Sequence, residues 1–209
     1  NLLARFDTML QRKFAGVTLQ PFGSFVSVFH TAGSDVDVSL EVSPNSNWYD
    51  PREMGPGAVN AAVGGGRGGR NRRQQTPRGY KSRKVQLLSK VASELRYQKF
   101  ADVNLIAHAR VPLIKFRDPR TGVKCDVCVG NDGVYKSAVL GAMADLDSRY
   151  RDLVFLIKMW AKNFDCNDAT AGSFNSYSLS LMSLFHLQTR SPPILPPAMR
   201  LTLQTDAAA

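Results

Sequence analysis

Residues 35 to 42, Asp-Val-Asp-Val-Ser-Leu-Glu-Val, alternate polar and apolar at every step. A period of two is that of a half-buried strand, with Val36, Val38, Leu40 and Val42 on one face and Asp35, Asp37, Ser39 and Glu41 on the other. A helix would scatter these side chains around its circumference, so the run requires a sheet with one polar face. The same alternation sets two carboxylates, i and i+2, on one side of the strand. Like charges that close disfavour each other's ionised form, and a cation relieves them. A hard divalent ion such as Mg²⁺ takes oxygen ligands, commonly one or two carboxylates together with substrate phosphates. On these residues alone a second reading stays open, in which Asp35 begins a turn and Asp37 is a solvated strand residue.

Such a site asks for another acid on a neighbouring strand. Asp126 in "VKCDVCV" has apolar flanks and sits on a predicted strand, Val123 to Val129, that closes a hairpin over the turn "DPRTG", residues 118 to 122. Upstream of the paired aspartates, Gly23 and Ser24 offer backbone N–H groups and a hydroxyl suited to phosphate oxygens. Leu2, Leu3, Phe6, Leu10 and Phe14 recur at helical spacing, as do Val85, Leu88, Val91, Ala92 and Leu95. Further strands are predicted over 103–109 and 111–116. After Asn131 the pattern turns helical, with stripes over 150–164 and 177–187. The chain therefore reads as an N-terminal helix over 1–16 docking on the helical half, a mixed α/β domain over 17–130, and a helical domain over 131–209.

Composition matters most between residues 43 and 80, which hold Pro44, Pro51, Pro56, Pro77 and the run "GGGRGGR" but almost no core-forming residue. Such a segment cannot offset its ordering entropy, and it is predicted to be a disordered insertion. The formal charge of +10 is concentrated here, since eight cations and no acid lie between Gly64 and Lys84. Arg67, Arg70, Arg72, Arg73 and Arg78 are the candidate RNA contacts, because arginine pairs with phosphate and stacks on unpaired bases. The bland reading is a solvated low-complexity insert. Three cysteines, Cys125, Cys128 and Cys166, form no disulfide framework, and the C-x-x-C pair reads as small buried strand residues. His30, His108 and His186 are isolated and read as structural. No apolar stretch approaches a membrane span.

"PFGSFVSVFHTAGSDVDVSL" resembles the G-S…D-x-D signature of the polymerase-β-like nucleotidyltransferases. "CDVCVGN" is similar to their third-aspartate motif, and "LIKMWAKNF" and "GSFNSYSLSLM" resemble helical-domain motifs of noncanonical poly(A) polymerases and terminal uridylyltransferases. The flavour is most like the plant terminal uridylyltransferases. The resemblance implies an α+β fold, a mixed sheet with helices, joined to a partial helical central domain. It implies that Asp35, Asp37 and Asp126 bind Mg²⁺ or Mn²⁺ and that Asp126 helps activate an RNA 3′-hydroxyl. Gly23, Ser24 and Ser34 would meet the nucleotide triphosphate, with Lys158 and Lys162 as cations on one helix edge. Asn131 would lie near the ribose or base, and Ser176 and Tyr177 would bond phosphate and stack on the base.

The implied activity is template-independent addition of UMP from UTP to RNA 3′ ends by a monomer in the cytoplasm or nucleus. ATP in place of UTP, and a catalytically silent RNA binder, are the competing readings. The start of the chain has no initiator Met and no signal pattern, and the helical half is shorter than the resemblance implies. A fragment is therefore expected, with apolar surface exposed on its helical half.

Overall fold

The computed structural model describes residues 2–31, 33–55, 82–130 and 132–198. The chain divides into two units, Asn1–Phe22 with Gly33–Val134, and Gly23–Ala32 with Tyr135–Ala209.

The first unit is built on a five-stranded mixed sheet. Its strands are β1 (Val17–Phe22), β2 (Val36–Val42), β3 (Ala101–Ile106), β4 (Leu113–Arg117) and β5 (Lys124–Val129). They lie in the order β1-β2-β5-β4-β3. Only β2 and β5 run parallel; the other neighbours are antiparallel. The alternation of β2 works as the sequence requires. Val38 and Leu40 enter a core shared with Cys125, Val127, Ile114 and Phe116, so Asp37, Asp126 and Lys115 occupy the opposite face. Cys125 and Cys128 are buried strand residues with free thiols.

Two helices cover the core face, α1 (Leu2–Lys13) and, after the short α2 (Pro51–Met54), α3 (Arg83–Tyr97). The stripe of α1 does not seek the helical half. Leu2, Phe6, Met9 and Leu10 join the sheet core, and the Phe6 ring meets the edge of Phe116 at a centroid distance of 5.7 Å. An amphipathic stripe fixes that a helix is buried, not which apolar face receives it. Here a sheet with Ile114 and Phe116 on its inner face takes it.

Residues 43–55, expected from composition to be part of a disordered insertion, are ordered. Trp48 packs its ring near Phe14, and Asp50 caps α2. The Glu53 carboxylate accepts hydrogen bonds from the Ser82 hydroxyl and the Lys84 backbone N–H, both at the start of α3. A carboxylate at a helix N-terminus satisfies orphan N–H groups and complements the dipole there. Residues 43–55 are therefore tied to the first unit, whereas Arg67, Arg70, Arg72, Arg73 and Arg78 lie outside the described residues.

The turn between β4 and β5 is organised by Asp118, whose side chain is fully buried. It accepts from Arg5 at 3.1 Å, the Thr121 hydroxyl at 3.1 Å and the Arg120 backbone N–H at 3.2 Å. Burial alone would raise this carboxyl, but the backbone N–H of Arg120, the Thr121 hydroxyl and the Arg5 guanidinium outweigh it and hold its pKa below the ordinary value. A depressed carboxyl stabilises the fold above its unfolded pKa of about 4 and loses that contribution as pH falls through the folded value. Asp118→Asn is expected to cost about 1–3 kcal/mol at pH 7, with the gap from wild type narrowing below about pH 4. Urea unfolding at both pH values checks this, and a pH-independent gap would show that the charge contributes nothing.

The second unit consists of α4 (Gly133–Leu146) from Tyr135 onward, α5 (Ser148–Asn163), α6 (Ser176–Thr189) and the segment 23–32. The helical region thus begins a new helix after Asp147, which caps α5 through its side chain. The core gathers Phe29, Leu140, Met143, Tyr150, Val154, Leu184, Leu187 and Leu195. Segment 23–32 belongs here rather than with the sheet. Gly141 permits this, because a Cβ at that position would stand 3.1 Å from the Val26 carbonyl oxygen. Leu156, Met159 and Trp160 of α5, Phe164 just after it, and Leu181 and Phe185 of α6 are exposed. Among the described residues no helix is long and apolar enough to cross a membrane.

Candidate active site

On the polar face of the sheet, β2 and β5 pair so that Asp37 stands directly beside Asp126, with Asp35 just before β2. Parallel strands lie about 4.8 Å apart, so the two carboxylates are near neighbours by backbone register alone. The electrostatics show it. Burial, then the charge of Asp126, then that of Asp35, lift the Asp37 carboxyl to about 6, while Lys115 pulls it down. Behind them, burial and the same three acids push the Cys125 thiol up, leaving it protonated and inert.

Lys115 is the residue that sequence reading missed. It sits opposite Asp126 in the β4–β5 hairpin and forms an ion pair with it. The hairpin count carried this information, since Lys115 and Asp126 lie two positions outside the Arg117–Lys124 pair that closes the turn. Lys115→Met is expected to push the Asp37 carboxyl above about 6 in metal-free protein, because among the described residues Lys115 is the cation that lowers it. Carbon-detected NMR titration of the aspartate carboxyls would read the shift, and an unchanged titration would mean that Lys115 exerts no field on Asp37.

The donor set suits a hard divalent cation, since the carboxylates gather on an accessible face and burial with the charges of Asp126 and Asp35 lifts Asp37 to about 6. Among the described residues no three acidic, histidine or cysteine side chains are drawn into one closed coordination group. Asp126 is instead engaged by Lys115. Asp35, Asp37 and Asp126 would hold the cation, which would compete with that ammonium.

The remaining candidates fall mostly in the second unit. The Gly23 backbone N–H donates to the Ser137 hydroxyl at 2.7 Å, and Gly23 adopts a φ of +72°. That left-handed backbone is natural for glycine, and Ser24 follows it as a phosphate candidate. Lys158 is buried and donates to the Phe29 carbonyl at 2.8 Å; burial, then the charge of Lys162, lowers its pKa. It ties segment 23–32 to α5, and the exposed Lys162 is the more available cation of the two. Ser176, at the start of α6, pairs with the Asn167 side chain, and Lys136 lies over the Tyr177 ring at 5.9 Å. Lys136 and Ser137 carry no sequence signal that would have singled them out. Ser34 lies beside Asp35 in the first unit, and Asn131 lies outside the described residues.

Known proteins resemble the chain over most of its length. The chain is 38% identical over 183 residues to protein HESO1 of Arabidopsis thaliana, covering 87% of this chain and 30% of that protein. It is 46% identical over 92 residues to the poly(A) RNA polymerase GLD2 of Mus musculus, covering 44% of this chain and 19% of that protein. The crystal structure of mtPAP in complex with UTP superposes with a TM-score of 0.71 at 28% identity, over 93% of this chain and 38% of that one. The same protein is also solved with ATPγS, GTP and CTP. The chain thus spans less than a third of those two curated relatives. Residues 1–144 match the family model of the central palm domain of mitochondrial-like poly(A) RNA polymerases. That stretch contains the whole mixed sheet with Asp35, Asp37 and Asp126 on its polar face, and the chain belongs to this palm-domain family.

Proposed function

We propose that the chain carries the catalytic part of an RNA 3′-terminal nucleotidyltransferase that adds UMP from UTP. The observation that carries this reading is the register of Asp37 against Asp126 beside Asp35 on an accessible sheet face. In the reaction the RNA 3′-oxygen bonds to the α-phosphorus of the nucleotide, the bond to the bridging oxygen breaks, and pyrophosphate leaves. A divalent cation, when bound, supplies charge neutralisation for the triphosphate and favours the ionised 3′-oxygen. Mg²⁺ and Mn²⁺ both suit an all-oxygen donor set. Asp35, Asp37 and Asp126 would hold the cation, and Asp126 would also help activate the 3′-hydroxyl for attack. Ser24, Lys162 and the Ser176 hydroxyl bind triphosphate oxygens, and the exposed face of Tyr177 stacks on the base.

UTP rests on the likeness to plant terminal uridylyltransferases in the segment "SFNSYSLSLM". A second reading, ATP, is favoured by the poly(A) polymerase names of the family model and of GLD2. The enzyme acts as a monomer, and its free cysteines suit the cytoplasm or nucleus. The arginines between residues 67 and 78 add sequence-tolerant affinity for RNA. The experiment is a labelled single-stranded RNA incubated with each nucleotide separately and Mg²⁺ or Mn²⁺. Extension by UTP supports the proposal, and extension by ATP alone keeps the chemistry and replaces the substrate. Failure with all four nucleotides, from folded protein that binds RNA, would leave a silent RNA binder.

A further inference from the structure

One pair of residues on the carboxylate face is at odds with stability. Arg117 of β4 and Lys124 of β5 are direct cross-strand partners at the mouth of the hairpin. Like charges placed so are destabilising. The fold answers only half of the conflict. Asp102 accepts from Arg117 Nε at 2.8 Å, and among the described residues Lys124 has no carboxylate partner.

The way Asp102 reaches Arg117 is itself unusual. The pairing of β3 with β4 shifts register between Ala101 and Asn104, and Asp102 sits inside that irregularity with a φ of +56°. Left-handed backbone is strained for a residue other than glycine, and bulges of this kind re-aim a side chain. Here the side chain is aimed at a guanidinium that stays 40% exposed. Its bond uses Nε alone, leaving the terminal nitrogens directed to no other residue described.

Position supplies the other half of the case. Arg117 and Lys124 lie on the same sheet face as Lys115 and Asp126, two residues along their strands. Two residues of strand span about 6.7 Å, so the cationic pair stands one short step from the carboxylates.

We propose that Arg117 and Lys124 form a phosphodiester-binding subsite for single-stranded RNA, which seats the backbone phosphate next to the 3′ end. Asp102 is a positioning residue that orients the Arg117 guanidinium. An unmatched ammonium and a guanidinium with open donors suit a shared phosphate, for which they supply a point charge and a fork. The inference rests on the reading of the chain as an RNA 3′-terminal nucleotidyltransferase.

The test is fluorescence anisotropy of a labelled single-stranded RNA with the full chain, in chelator and without nucleotide, across a salt series. Each phosphate contact on a single strand contributes about 0.7 to the slope of log affinity against log salt. The Arg117→Ala/Lys124→Ala double variant is expected to bind about tenfold more weakly and to lose about 0.7 from that slope, because the pair shares one phosphate. Lys124→Arg is expected to retain binding, since the charge stays. Both positions are solvent-facing, so the fold should survive, and circular dichroism verifies that. Identical affinity and slope in wild type and double variant overturn the subsite. So does unchanged RNA binding with a raised KM for the nucleotide, which would move the pair to the triphosphate. Nucleotide incorporation by wild type is scored separately. A lost slope without incorporation supports the subsite and sinks the enzymatic reading; incorporation with unchanged slopes sinks the subsite alone.

Discussion

Asp37→Asn is expected to lower the proposed nucleotidyl transfer by roughly 10³-fold, on the order of 4 kcal/mol of transition-state stabilisation, and at the same time to make the metal-free protein more stable. The two effects have one origin. Burial and the acids at 126 and 35 raise the Asp37 carboxyl from 3.8 to about 6. A carboxyl whose folded pKa lies above its unfolded one opposes folding as it ionises. The penalty grows as pH rises from about 4 through about 6 and is complete at pH 7. After allowance for partial solvent screening, neutralising it should return on the order of 1 kcal/mol. Single-turnover extension assays read the first effect, and thermal unfolding in chelator at pH 5 and pH 7 reads the second, which should be larger at pH 7. A variant that loses activity and stability together would mark Asp37 as a structural residue. A stable, inactive one is the signature of a carboxylate retained against the interest of the fold.

Phe6→Ala should remove about 3–5 kcal/mol from the first unit, a large share of the roughly 5–15 kcal/mol that holds an ordinary domain together. Phe6 is fully buried, and its contact with Phe116 is an edge-to-face ring pair at 5.7 Å. Truncation would leave a ring-sized void between α1 and the sheet, bounded by strands that cannot move inward without breaking their ladders. Hydrogen exchange should show amides of β4 and β5 losing protection together with those of α1. Leu156→Ala is the control, since Leu156 is 65% exposed and should cost within about 0.5 kcal/mol. Unaltered protection of β4 and β5 in Phe6→Ala would mean that α1 does not belong to that core.

The elements of this fold were legible where one periodicity ran without competition. The alternation at 35–42 named the strand, its buried face and its paired carboxylates, and the apolar flanks of Asp126 located the neighbouring strand. What the sequence withheld was partnership. The stripe of Phe6 and Leu10 says that a face is covered but not by what, so periodicity alone does not separate the sheet core that α1 enters from the helical half. Low apolar content made residues 43–55 look structureless, although Glu53 orders them through polar contacts to the start of α3, which no hydropathy pattern registers. Lys158 was paired with Lys162 by spacing, yet one turn of helix separates a buried tie to the Phe29 carbonyl from an exposed cation. Lys115 was recoverable by counting outward from the "DPRTG" turn, because hairpin register is arithmetic once the turn is known.

The free thiols are distributed in a way that makes the molecule its own reporter. Cys125 and Cys128 are sealed in the strand that bears Asp126, and burial, together with the acids in front of Cys125, keeps its thiol protonated. Cys166, beyond α5, is partly open to solvent. A maleimide dye at mild pH should therefore attach at one position only, and its emission can follow the helical unit while the carboxylate sheet stays chemically untouched.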